Sequence, residues 1–72
     1  MNHTIGKMHQ FVAVQLPIYN RIGDVPFAYL VQNEVVVFLS KTDKYVKVLF
    51  DDGTVGIVPY FPERDHWVEY KG

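Results

Sequence analysis

Apolar and polar residues alternate along much of this chain with a period of two, the spacing of a strand whose two faces meet different surroundings. The pattern is cleanest from Tyr45 to Asp51. Val46, Val48 and Phe50 share one face, Tyr45, Lys47 and Leu49 the other, and the lysine marks the second face as the wetter one. Phe11 to Leu16 is also rich in β-formers and stops at Pro17, with Val12, Val14 and Leu16 predicted on one side. Pro17 to Pro26 holds Asn20, Gly23 and Asp24, which predicts a long irregular loop. Phe27 to Val31 predicts a short strand, Gln32-Asn33 a turn, Glu34 to Ser40 the most hydrophobic strand, and Lys41 to Lys44 a polar hairpin loop. Asp52-Gly53 fits a two-residue type I′ turn, which needs positive φ at both positions. Thr54 to Val58 is then the return strand. Gly56 within it predicts a bulge or a close backbone approach, and Pro59 ends the pairing or sits on an edge. Pro62 to Asp65 suits one helical turn, and Trp67 to Tyr70 a last short strand. Met1 to Gln10 is polar and reads as a loosely ordered tail, leaving 11–72 as one domain.

One run breaks the alternation. Val35-Val-Val-Phe-Leu39 is apolar on both faces, whereas a small barrel solvates its outer face. Loops or a second chain must cover the excess. The expectation is a contact with a protein partner or a homodimer, centred on Val35, Val37 and Leu39 or on the opposite parity.

Composition narrows the classes. With 72 residues there is room for one domain, which buries little more than about 60% of its unfolded surface. Cysteine is absent, so disulfides and thiolate metal sites are excluded, and a reducing, cytoplasmic setting is expected. Seven basic and eight acidic residues give a net charge of −1, which argues against a general phosphate-backbone binder. No apolar run approaches the roughly 20 residues that span a bilayer, so no membrane partner is expected. No glycine-rich phosphate loop is present, and His3, His9 and His66 lack metal-ligand spacing, so no cofactor is expected. His66 stands beside Asp65, but no nucleophile motif accompanies it, and a catalyst is not expected.

Five short strands in about sixty residues point to a small all-β barrel. From residue 11 to 70 the order of parts resembles SH3-like domains: a first strand, a long loop, a three-stranded meander with a tight distal hairpin, a helical turn and a short last strand. Tyr45-Val-Lys-Val followed by Asp52-Gly-Thr-Val-Gly-Ile-Val58 is similar to the bacterial SH3 pattern of an aromatic-rich strand before "DGxxGWV". Gly56-Ile-Val-Pro59 resembles the eukaryotic "GxFP" element, and Trp67-Val-Glu69 the "YVE" of its last strand. The chain departs from the family at Leu16-Pro-Ile-Tyr-Asn20, which stands where "ALYDY" is found, at Tyr45 in place of the tryptophan of the third strand, at Ile57 in place of the bacterial tryptophan, and at Tyr60-Phe-Pro62 in place of "SNY".

The resemblance implies a non-enzymatic binding module. Tyr19, Tyr45, Pro59 and Tyr60 would form part of a proline-peptide groove, and Tyr45, Tyr60, Phe61 and Trp67 either a binding face or the plugs of the barrel ends. Asp51, Asp52, Glu63, Asp65 and Glu69 crowd the last third and would meet a basic partner if they shared a face. Small size suits an adaptor, or a small inhibitor such as a phage-encoded one that blocks a host protein. A rival reading places nucleic acid on Lys41, Lys44 and Lys47 with Tyr45 as a stacking platform, as in KOW and Tudor barrels.

Overall fold

The computed structural model describes residues 5–61 and 63–71. They form seven strands: β1 (Met8–Phe11), β2 (Gln15–Ile18), β3 (Ala28–Val31), β4 (Val35–Lys41), β5 (Tyr45–Leu49), β6 (Val55–Pro59) and β7 (Trp67–Glu69). Strands β6-β5-β4-β1-β7 make one antiparallel sheet in that order, and β2-β3 make a second. The expected all-β, barrel-like architecture is what the chain adopts, with seven strands in place of five. The barrel is not closed. Strand β2 meets β6 at a single bridge, where Tyr19 and Ile57 each donate an N–H to the other's carbonyl at 2.8 Å. Alternate residues of a strand turn their amides to alternate edges. Pro17 therefore faces the same edge as Tyr19 but has no N–H to offer, nor has Pro59, which the antiparallel register places opposite it, so the pairing does not extend from Tyr19 in that direction.

The first strand differs from the sequence expectation. Met8–Phe11 is an interior strand between β4 and β7, so residues 8–10 belong to the barrel; Met1 to Thr4 of the expected tail lie outside the described residues. His9, on the inward parity with Phe11, is 1% exposed and stacks on Phe38 with ring centroids 4.1 Å apart. The chain breaks pairing after Phe11 and resumes at Gln15. This undoes the predicted Val12, Val14, Leu16 face: Val14 is 81% exposed, and Leu16 and Ile18 point into the core. Pro17 and Ile18, expected in a loop, are strand residues opposite Tyr29 and Ala28.

The core is a chain of aromatic contacts filled in by aliphatics. Phe38 lies edge-on to Trp67 at 5.0 Å and to Tyr60 at 6.3 Å, and Phe11 tilts against Trp67 at 5.2 Å. Each such pair contributes about 0.5–1.5 kcal/mol beyond its buried area. Val36, Val46, Val48 and Val58 close the floor of the large sheet, and Leu16, Ile18 and Leu30 form the lid supplied by β2 and β3.

Turn chemistry corrects two further expectations. Phe50 accepts a hydrogen bond from the Gly53 N–H at 3.0 Å and donates its own N–H to Thr54 at 2.8 Å. Gly53 has φ +89°, whereas Asp52 does not share the positive φ. This is a three-residue loop with a glycine bulge, not a type I′ turn. Asn33, in the predicted Gln32-Asn33 turn, has φ +77°. The segment expected as a helical turn forms a simple turn, with Arg64 N–H donating to Phe61 at 2.9 Å; Pro62 lies outside the described residues.

Gly56 makes the close approach its position predicts. It pairs in register with Val48, and the irregularity of the sheet lies instead in β4 at Leu39, between Phe38 and Ser40. A β-carbon on Gly56 would sit 2.5 Å from Ile18 Cγ2. Gly56→Ala is therefore expected to destabilise the domain by about 1–3 kcal/mol through overpacking. Urea denaturation of Gly56→Ala, Ile18→Ala and the double variant measures this. The double variant should be more stable than the sum of the two single losses implies, because removing Ile18 relieves the clash.

Candidate functional site

The large sheet has one face on the core and one turned outward. Inward positions are His9 and Phe11 on β1, Val36 and Phe38 on β4, Val46 and Val48 on β5, Gly56 and Val58 on β6, and Trp67 on β7. By alternation, Met8, Val35, Val37, Leu49, Val55 and Val68 face outward.

The register lines these residues up. Met8 is opposite Val37, Val37 opposite Leu49, and Leu49 opposite Val55. Tyr70 adjoins Met8 beyond the end of β7, donating its N–H to the Met8 carbonyl at 2.9 Å. Tyr70, Met8, Val37, Leu49 and Val55 thus form an uncharged row that crosses the whole sheet. Four inter-strand gaps of about 4.8 Å give it a length of roughly 19 Å. Tyr70 is 38%, Met8 44% and Val55 41% exposed, while Val37 and Leu49 are half-buried. Val35 and Val68 widen the row on one flank, and Leu39 lies at the bulge on the other. Contiguous apolar surface of this kind marks a contact region more often than isolated exposed residues do.

Charges border the row on both sides, Lys47 on one and Asp51 with Glu34 on the other. Lys47, Leu49 and Asp51 are successive outward positions along β5 and its end. Lys47 pairs across to Ser40 and Ile57, and Asp51 lies beside Met8, Val35 and Leu49. Among the described residues neither Lys47 nor Asp51 makes an ion pair, and the turn is stabilised by its neighbour Asp52, whose Oδ1 accepts the Thr54 N–H at 2.9 Å.

A second concavity lies at the opposite end of the β5–β6 hairpin. Tyr45, Pro59, Tyr60 and Phe61 converge there with Asp43, Lys44 and Glu63 around an open cleft of about 380 Å³. The ring of Tyr60 is largely buried against Phe38, so only part of it is offered to the cleft. Tyr19 is elsewhere, at the bridge to Ile57. Trp67 is 2% exposed and belongs to the core.

The predicted charge clusters assemble only in part. Lys41 holds its ammonium 5.2 Å from the Tyr60 ring centre and Lys44 lines the cleft that Tyr45 and Tyr60 also line, whereas Lys47 is on the outer face. Asp51 and Asp52 sit at one end of the β5–β6 hairpin and Glu63 at the other, so the acidic residues do not share a face. His66 is wedged edge-on between Phe11 at 6.2 Å and Phe61 at 5.6 Å, and its Nδ1 is buried. Among the described residues no three His, Cys, Asp or Glu side chains are placed to hold a metal ion.

The sequence left open whether Val35, Val37 and Leu39 or the opposite parity faces outward, and the structure turns Val35 and Val37 outward with Leu39 at the bulge. Leu49 was legible through its alternation with Val48 and Phe50, on the face that carries Lys47. Met8, Val55 and Tyr70 were not, because the row they complete exists only across strands. No family model, curated protein or solved structure matches this chain. The surface itself therefore carries the functional argument.

Asp52 gives a test of the turn that ends β5. Its hydrogen bonds with Thr54 hold the carboxyl below its ordinary value of 3.8. The unfolded chain takes up the proton at higher pH than the folded one, so this group's contribution is present above 3.8 and is lost as pH falls through the folded value. Asp52→Ala should lower the thermal midpoint at neutral pH. The gap to the unmodified protein should narrow as the pH drops below 3.8. Melts recorded across an acid series would show a constant gap if the hydrogen bond were immaterial.

Proposed function

We propose that this chain is a non-enzymatic protein–protein interaction module whose contact surface is the outer face of the five-stranded sheet. The observation that supports this is the apolar row from Tyr70 through Met8, Val37 and Leu49 to Val55. Aromatic residues and methionine are enriched in the buried centres of interfaces, and the polar flanks Gln10, Ser40 and Lys47 suit a rim. Such a module works by covering a protein surface, whether a different protein's, as an adaptor or a stoichiometric inhibitor does, or the matching face of its own copy. Burying a valine or leucine side chain contributes roughly 1.5–3 kcal/mol, so three or four from this row supply much of a micromolar affinity.

The cleft of Tyr45, Pro59, Tyr60 and Phe61 favours a second reading, a peptide groove. It has one half-buried and one exposed ring at its lip, against five apolar side chains in the row. The nucleic-acid reading keeps Lys41 and Lys44 near Tyr45 and Tyr60, while Lys47 lies apart on the outer face.

Immobilised protein exposed to lysate of the source cells, then washed at low and high salt, distinguishes these readings. The expected result is a protein that survives high salt on the unmodified chain, is lost from Leu49→Asp, and is kept by Phe61→Ala. Circular dichroism confirms that each variant is folded. Retention by Leu49→Asp with loss from Phe61→Ala would replace the sheet face with the cleft. Nucleic acid released by salt would replace both.

A further inference from the structure

We infer that the occupant of this face is a second copy of the chain, packed sheet against sheet about a two-fold axis that runs along the apolar row. This rests on the proposed contact surface and adds its partner and geometry. The first support is the placement of charge. Lys47 and Asp51 border the row on opposite sides of Leu49, each about 7 Å away along the strand, and neither has an ionic partner among the described residues. A two-fold axis along the row reverses the strand direction of the second copy and exchanges its flanks. Lys47 of each copy then faces Asp51 of the other, giving two symmetric ion pairs around an apolar centre. An axis parallel to the strands brings no Lys47 to an Asp51. The same rotation lays row on row, so the surface is complementary to itself, as an isologous contact requires. The strands of the two sheets then run antiparallel and close to aligned, within the range in which sheets pack face to face.

The second support is area. A standard interface takes about 800 Å² from each partner. The chain exposes 4733 Å², so an interface of that size covers about one sixth of its surface.

Sedimentation of the full chain over a concentration series tests the inference. The expected result is a monomer–dimer equilibrium at 8.4 kDa and twice that mass, abolished by Leu49→Asp. Lys47→Asp alone and Asp51→Lys alone should each weaken the dimer by roughly tenfold, since two attractive pairs become repulsive. Combining Lys47→Asp with Asp51→Lys should restore it, because the exchanged charges again face one another. A chain that stays monomeric throughout overturns the dimer and leaves the face to a different protein, which the lysate experiment detects independently. A dimer indifferent to Leu49→Asp overturns the surface as well. Loss with Leu49→Asp but no recovery in the doubly exchanged variant overturns the two-fold geometry.

Discussion

The fold depends on one missing side chain. Gly56 has no β-carbon, so Ile18 can lie against the inner face of β6, and this lets the two-stranded sheet cover the five-stranded one. The hydrogen-bonded bridge of Tyr19 and Ile57 is one residue further along each strand, so packing and pairing reinforce each other at the same joint. Leu16 and Leu30 then reach the aromatic floor of Phe38, Phe11 and Trp67. A side chain at position 56 would hold the lid off the floor and open the core of a domain with little apolar area to spare. Pro17 limits the same joint from the other side. With Pro59 opposite, it prevents the pairing of β2 and β6 from lengthening in that direction, so the barrel stays open at that seam.

The division between legible and hidden features follows from the range of the interactions involved. Features set by residues near in sequence were readable: the alternation of β5 and the turn at Gln32-Asn33. The close approach at Gly56 was readable as a demand for glycine, but its partner Ile18, distant in the chain, was not. The outcome at Asp52-Gly53 shows the limit of local reading. A turn was readable there, but its type was not, because the extra residue of the bulge depends on how Phe50 and Thr54 pair. Strand β1 was missed for a different reason. His9 looks like a tail residue until Phe38 and β7 surround it, and only pairing on both sides makes Met8–Phe11 a strand. The same holds for the outer row, whose members are far apart in sequence and adjacent only through the register.

Core and outer apolar face are built on the same strands with opposite parity, which couples them tightly. Each inward residue of β4 and β5 has an outward neighbour, so a one-residue slip would exchange Val36 and Phe38 for Val35 and Val37. The run of five apolar residues in β4 makes that slip cheap by hydrophobicity alone. What resists it is shape. Phe38 fits among His9, Trp67 and Tyr60, and Leu39 takes up the bulge before Ser40 resumes pairing with Lys47. The aromatic cluster therefore fixes the register of the central strand, and through it decides which valines reach the outer face.

The outer face also shows that its apolar row is not simply what remains after the core is filled. Along the strand direction its rows differ in kind. Ser40, Lys47 and Ile57 form a mixed row on one side, and Val68, Gln10 and Val35 another on the far side. Between them Met8, Val37, Leu49 and Val55 carry no polar group at all. A solvated sheet gains only modest cross-strand packing from four uncharged side chains in register, about 0.2–1 kcal/mol per pair, and could draw much of it from threonine pairs or paired charges. In contact with another surface the same row excludes water along the full width of the sheet, while the polar rows on either side remain able to hydrogen-bond at the rim. The arrangement makes physical sense when the row is covered, and that is the reason to look for what covers it.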